Sequence, residues 1–377
     1  VTALVLLAAI FGGTLATYLY DDESPLPARV AAGAPIGLVL LGLAGFVAAS
    51  WIGLHGVTVA IAVGGALVPG AVALARGRAP LATDARVALD VLTARLLHPD
   101  RWTVAVALVG AASAWMLWRV FDRAMFVAAD GGISTGVDHN LGDLPFHVAV
   151  ITSFLHGENF PPEHPELAGV RLTYPFLVDF VSALLMRAGA SLRDALFLVN
   201  IVLALSLAAL LFRWASFLTR DRLAALMTPI LIFLSGGFGF RLLARDVDPE
   251  AGGLVALLGK LPHDYTILAT GELRWGNLVI TMLMTQRSIL LGMPVVVAIW
   301  TLWWAALRED QDPRRTRRMM AGAGVLTGLL PLVHSHAFAV TLAVAAALAL
   351  VTRRVRAFAP YLASGLVLAL PQVLWLT

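Results

Sequence analysis

Long apolar runs, each broken by a short polar or basic stretch, recur along the whole chain. They fall at 1–20, 30–48, 57–75, 102–121, 190–212, 223–240, 288–307, 319–333, 337–352 and 357–376. Each is near the length that crosses about 30 Å of hydrocarbon at about 1.5 Å per residue. The runs are continuous rather than alternating, so they predict helices and not the strands of an outer-membrane barrel. The expected fold class is therefore all-α, a polytopic transmembrane helical bundle of about ten spans with interfacial helices in an outer-face loop.

Arginine clusters set the sides. Arg76, Arg78, Arg86 and Arg95 precede the fourth run, and Arg213, Arg220 and Arg222 separate the fifth from the sixth. Arg314, Arg315, Arg317 and Arg318 follow the seventh, and Arg353, Arg354 and Arg356 precede the last. The positive-inside rule puts all four clusters in the cytoplasm. Parity allows this only if 173–189 is not a full span. That stretch opens with Pro175 and carries Asp179 and Arg187, so an amphipathic helix lying in the outer interface is expected there. Two large outer segments remain, 122–189 and 241–287. The first is acidic and holds His139, His147, His156 and His164.

Composition agrees with this reading: of 377 residues 59% are hydrophobic and 14% charged, with a mean hydropathy of +0.83, which no soluble domain requires. The absence of cysteine excludes a disulfide framework and a thiolate metal site. The formal charge is +3, Lys260 is the sole lysine, and no basic run interleaved with aromatics points to nucleic acid; membrane lipids are the expected surroundings. The Ala/Arg/Gly bias suggests a bacterial or archaeal plasma membrane. Residues 1–20 lack a basic n-region and a small-residue cleavage site, so they read as a span rather than a removed signal peptide. The Val at position 1 and the apolar last segment lead to the expectation of a chain truncated at either end. The expected organisation is a leading set of spans with a cytoplasmic loop over 1–100, then a core over 101–377. Oligomeric state is not legible.

Chemistry concentrates in Asp138–His147, DHNLGDLPFH, where ionisable groups gather at a membrane boundary. A carboxylate there can take the proton of an attacking hydroxyl. Equally, Asp143 can cap a helix starting near Pro145. His147, four residues on, falls in the first turn of that helix, within reach of Asp143. Asp138, His139, Asp143 and His147 include a candidate site for a divalent metal, Mg or Mn, with Asp138, Asp143 and His147 as the ligands, on spacing that is loose.

Arg287 follows Gln286 and heads an apolar run. Its guanidinium is expected at headgroup level, either gripping a phosphate in a fork or snorkelling. Arg274, Trp275 and Asn277 lie just before it. His334 and His336, in PLVHSHAF, are a further candidate pair for sugar or phosphate, or a solvated turn. The glycines of SGGFGF, 235–240, follow no strand and read as a helix C-terminus with close packing.

An acid shortly beyond an outward-going span, then a helix, a Pro-rich turn (PPEHPE), a Tyr-Pro opening the next helix and an "AG-S" step into the following span resemble the GT-C superfamily of membrane glycosyltransferases. The likeness covers 102–377 and is strongest to poorly characterised bacterial and archaeal members with GD-x-x-x-H in the first loop. The three leading spans depart from the simpler members. The resemblance implies transfer of a sugar from a polyprenyl-phosphate carrier to an acceptor hydroxyl on the outer face, with inversion. Asp143 matches the superfamily's loop acid and is the expected base, with Asp138 and His147 beside it. Gln286, Arg287, His139, Arg274, His334 and His336 are the expected substrate contacts. A transporter or lipid flippase is the alternative, and would place ionisable groups within the spans; an inactive scaffold is a third reading.

Overall fold

The computed structural model describes residues 1–263, 265, 276–308 and 311–376. It is a bundle of fifteen α-helices with two small hairpins among the described residues. Helices α1 (Thr2–Thr17), α2 (Leu26–Ile52) and α3 (Gly56–Ala75) form a leading group, followed by α4 (Leu81–Leu97) and α5 (Arg101–Asp122). Strands β1 (Phe126–Val127) and β2 (Ile133–Ser134) then pair antiparallel. Helix α6 (Asp143–His156) is followed by strands β3 (Glu163–His164) and β4 (Leu167–Arg171) and by α7 (Leu177–Arg187). The remaining helices are α8 (Leu192–Thr219), α9 (Arg222–Phe233), α10 (Phe240–Arg245), α11 (Gly253–Gly259), α12 (Arg287–Ala306), α13 (Pro313–Gly328), α14 (Ser335–Val351) and α15 (Ala359–Leu376).

Among the described residues, six helices are long and apolar enough to cross a membrane: α2, α3, α5, α8, α12 and α15 with the turn before it. Helices α1, α9 and α14 are apolar but shorter. The protein is thus helical and membrane-embedded. In lipid, helices gain little from hydrophobic transfer and associate by close packing and buried hydrogen bonds, which favours small residues at their crossings. Gly13 of α1 meets the backbone of Gly33 and Gly37 on α2, and Gly37 in turn meets Ala9. A β-carbon at either Gly13 or Gly37 would fall inside the facing backbone.

The arginine clusters gather at one end of the bundle. Arg78 donates to the Leu19 carbonyl, Arg222 pairs with Asp100, and Arg354 donates to the Leu307 carbonyl. Arg308 and Arg315 pair with Glu23, and Arg315 and Arg318 with Asp22. Asp84 of α4 ties to Tyr18 at the end of α1, bringing the 76–101 segment to the same end. That segment is helical in α4, which has no buried residue, rather than a plain loop.

The helix expected to be amphipathic and interfacial is covered by protein on every side. Helix α7 is too short to span, but every residue from Leu177 to Leu185 is buried, and it packs against α2, α6, α8 and α12. Its polar face looks inward because Asp179 and Ser182 find partners there, so the amphipathic pattern marks a polar seam inside the protein. Phe46 of α2, Phe154 of α6, Phe160, Phe176, Phe180 of α7 and Trp375 of α15 pack in tilted and edge-to-face contacts that hold the loop helices to the bundle.

Candidate functional site

Helix α6 begins at Asp143, whose carboxylate is half-exposed at the end of the bundle opposite the arginine clusters. Gln286, at the N-cap of α12, donates from Nε2 to Asp143 Oδ1 at 2.8 Å, and the Tyr174 hydroxyl donates to Gln286 Oε1 at 3.0 Å. Burial pushes the Tyr174 phenol up, so it stays a donor. Asp143 Oδ2 carries no protein partner among the described residues. Phe146 packs edge-on against Tyr174 and stacks near His164, walling one side.

His147, one turn along α6, points from the same face into the protein. It is 1% exposed, with Nδ1 2.8 Å from Asp179 Oδ2 and Nε2 2.9 Å from the Thr285 carbonyl. A carbonyl only accepts, so Nε2 carries hydrogen. A carboxylate also only accepts, so the Nδ1–Asp179 contact needs a proton of its own, on one partner or the other.

Arg287 completes the chain. Nη1 pairs with Asp179 Oδ1, Nη2 donates to Ser182 Oγ at 2.7 Å, and Nε donates to Asn200 Oδ1 at 3.1 Å. His147, Asp179 and Arg287 thus form one buried, mutually paired polar group. A cavity of about 10 Å³, room for about one water, lies beside it between His147, Asn200, Arg287 and Asn140.

This geometry corrects several expectations. Arg287 neither snorkels nor offers a free fork: it is 1% exposed and all its nitrogens are engaged within the protein. His147 does not orient Asp143, and cannot ligate a metal as it stands because both ring nitrogens are spent. Asp138 is exposed in a short turn, and its side chain makes no hydrogen bond or ion pair among the described residues. Asp138, Asp143 and His147 therefore do not converge, and no group of three acidic or histidine side chains among the described residues is arranged to hold a metal.

His139 is half-buried beside Asn140, which anchors the loop by donating to the Ala124 carbonyl at 2.8 Å. His334 is the N-cap of α14, accepting from Ala337 N–H at 3.0 Å, with its ring 5.5 Å from that of His336. His334 abuts Gly292 of α12, and no hydrogen bond, ion pair or ring contact among the described residues links the pair to Asp143. Asn277 secures the end of α9, donating to the Phe233 and Ser235 carbonyls at 2.7 and 2.8 Å. Arg274 and Trp275 lie outside the described residues. SGGFGF follows the end of α9, and Gly239 lies against the Tyr265 carbonyl, as close packing requires.

Of the expected residues the structure thus joins Asp143 to Gln286 and, separately, His147 to Arg287. Residues not singled out for the site, Asp179, Tyr174, Ser182, Asn200 and Thr285, complete it. The signal for Asp179 was an isolated acid in an apolar run, which in lipid demands a partner. No protein-family model, no curated protein and no solved structure matches this chain.

Proposed function

We propose that the protein is a glycosyltransferase of the bacterial or archaeal plasma membrane, moving a sugar from a polyprenyl-phosphate carrier to an acceptor hydroxyl at the outer face. The observation that carries this reading is Asp143: one carboxylate oxygen is held by a neutral amide while the other is free at the surface. A base needs that combination, fixed in place yet not neutralised by a cation. The direct phosphate contact falls to a residue other than Arg287, whose nitrogens are all engaged, with Lys260 and Arg274 as candidates. The GT-C-like order of motifs, the ten-span topology and the outward orientation of Asp143 belong to the same proposal.

A transporter is the second reading, favoured by ionisable groups buried among helices. Against it, the group is fully paired and its cavity admits about one water.

The test reconstitutes the full chain in nanodiscs with a panel of polyprenyl-phosphate sugars and follows release of polyprenyl phosphate. Asp143→Asn should lower turnover by at least about 100-fold with folding intact. No turnover of any donor by the wild type, together with solute-driven proton uptake in proteoliposomes, would replace this reading with the second.

A further inference from the structure

Helix α4 differs from the helices around it in burying none of its residues. It follows the end of α3 at Ala75 and precedes the start of α5 at Arg101, so it joins two helices that are each long and apolar enough to cross a membrane. Asp84, Arg86, Asp90 and Arg95 divide it, and it is no span itself. Its first turns are fixed to the arginine-rich end of the bundle. The Tyr18 hydroxyl donates to Asp84 at 2.6 Å, and Leu81 packs against the cluster of Leu15, Tyr18 and Ala73.

Helical spacing sorts its side chains into three stripes. Asp84, Ala88, Val91 and Arg95 line a crevice shared with α5 and α8. Thr83, Arg86, Asp90 and Thr93 make a polar stripe. Leu81, Ala85, Leu89, Leu92 and Leu96 make an apolar one, of which Leu89, Leu92 and Leu96 are 62%, 54% and 70% exposed. Nothing among the described residues covers these three leucines, and leaving such a row in water is unfavourable. The position of α4 says what covers it. The lipid that surrounds the exposed Val68 and Leu74 of α3 and Leu108 of α5 continues past a helix strung between them. Charge agrees. Arg76 and Arg86 are exposed and make no hydrogen bond or ion pair among the described residues. With Arg78 and Arg95 they face only Asp84 and Asp90, and Asp84 is already engaged by Tyr18 and Arg29. An apolar stripe beside a basic one suits a membrane interface with anionic headgroups.

We propose that α4 is a membrane-docking helix that lies flat in the leaflet at the arginine-rich end. Leu89, Leu92 and Leu96 sink about 5–10 Å into the boundary between headgroups and acyl chains, and Arg76 and Arg86 meet the phosphates of anionic lipids. This depends neither on the transferase reading nor on which side of the membrane the arginines face.

The chain has no native cysteine, so single cysteines report on α4 directly. Leu92→Cys and Asp90→Cys, both at exposed positions, are labelled with an environment-sensitive nitrobenzoxadiazole dye in the full chain. The two are compared in phosphatidylcholine nanodiscs carrying lipids with a nitroxide at the headgroup end of the acyl chain. The Leu92 label should emit further to the blue and lose most of its fluorescence to the nitroxide, while the Asp90 label stays water-like. Equal emission and quenching at the two positions would overturn the docked orientation. An unquenched Leu92 label, together with a disulfide-linked dimer of unlabelled Leu92→Cys, would assign the stripe to a second copy of the chain instead. Spin-labelled phosphatidylglycerol should quench the Leu92 label at a mole fraction about fivefold lower than spin-labelled phosphatidylcholine, the worth of one basic side chain at an anionic surface. Arg76→Gln/Arg86→Gln should lower that preference. Equal quenching by the two lipids, or a preference undiminished in the double variant, would overturn the role given to the arginines.

Discussion

Gln286 and Arg287 are consecutive, yet they serve different partners: Gln286 holds the half-exposed carboxylate of Asp143, while Arg287 turns inward to Asp179. The first turn of α12 is therefore the hinge between an exposed acid and a buried ionic group, and substitutions at the two positions should have separable effects.

At position 287 the effect is on stability. Arg287→Ala leaves Asp179 buried without its cation, and loss of one member of a buried pair costs about 3–5 kcal/mol. Arg287→Lys keeps the charge but cannot reach Asp179, Ser182 and Asn200 together, so it should fall between alanine and wild type. Thermal melts in detergent measure both, and an Arg287→Ala protein as stable as wild type would contradict a structural role for the ion pair.

Position 286 should tune Asp143 instead. Gln286→Glu replaces a donor with a second carboxylate, and a like charge disfavours ionisation, raising the Asp143 pKa. The acid limb of the transferase pH profile should move up, and by linkage the melting temperature above that limb should fall, because both carboxylates are then ionised and repel each other. An unmoved profile would detach Gln286 from the chemistry.

His334 sits in the turn between α13 and α14, outside the helical spans. Burial, helped by neighbouring His336, pushes its pKa from 6.5 down to about 4. The folded protein holds it neutral, where it accepts the Ala337 N–H. Between pH 6.5 and about 4 the unfolded chain binds the proton more readily, so stability from this group is full above the upper value and lost as pH falls toward the lower. His334→Asn, which can cap without titrating, should flatten that acid dependence, and His334→Ala should cost about 1 kcal/mol at neutral pH. Denaturation at pH 7.5 and pH 5 compares the three.

Sidedness is testable because the chain has no native cysteine. Ile133→Cys in β2 and Arg314→Cys in α13 occupy exposed positions at opposite ends of the bundle. A membrane-impermeant maleimide applied to intact cells should label the first and not the second. The reverse pattern would put Asp143 in the cytoplasm and remove the proposed donor from its reach.

The helical class and the gathering of arginines at one end were legible because hydropathy and charge act over whole segments, and a span of twenty apolar residues signals itself without knowledge of its neighbours. The site was legible only in part. Asp143 stood out as an acid between a span and a helix. The partnerships of His147 and Arg287 did not, since Asp179 lies 32 residues from one and 108 from the other and no local pattern encodes which groups meet. Helix α7 misled for a related reason: its periodicity reports one polar face, and that face turns equally well toward water or toward a buried partner.

That sequence separation has a consequence for biogenesis. Asp179 enters the nascent chain 108 residues before Arg287, an interval of roughly 5–20 s at ordinary translation rates. His147, already made, is its sole available ionic partner from the final network in that time. Helix α7 is short and carries a carboxylate, so on its own it is a poor substrate for membrane insertion. The neighbourhood of Asp143 should therefore remain unassembled, with α6 and α7 outside the bilayer or shielded by the insertion machinery, until α12 arrives and its first turn locks them in place.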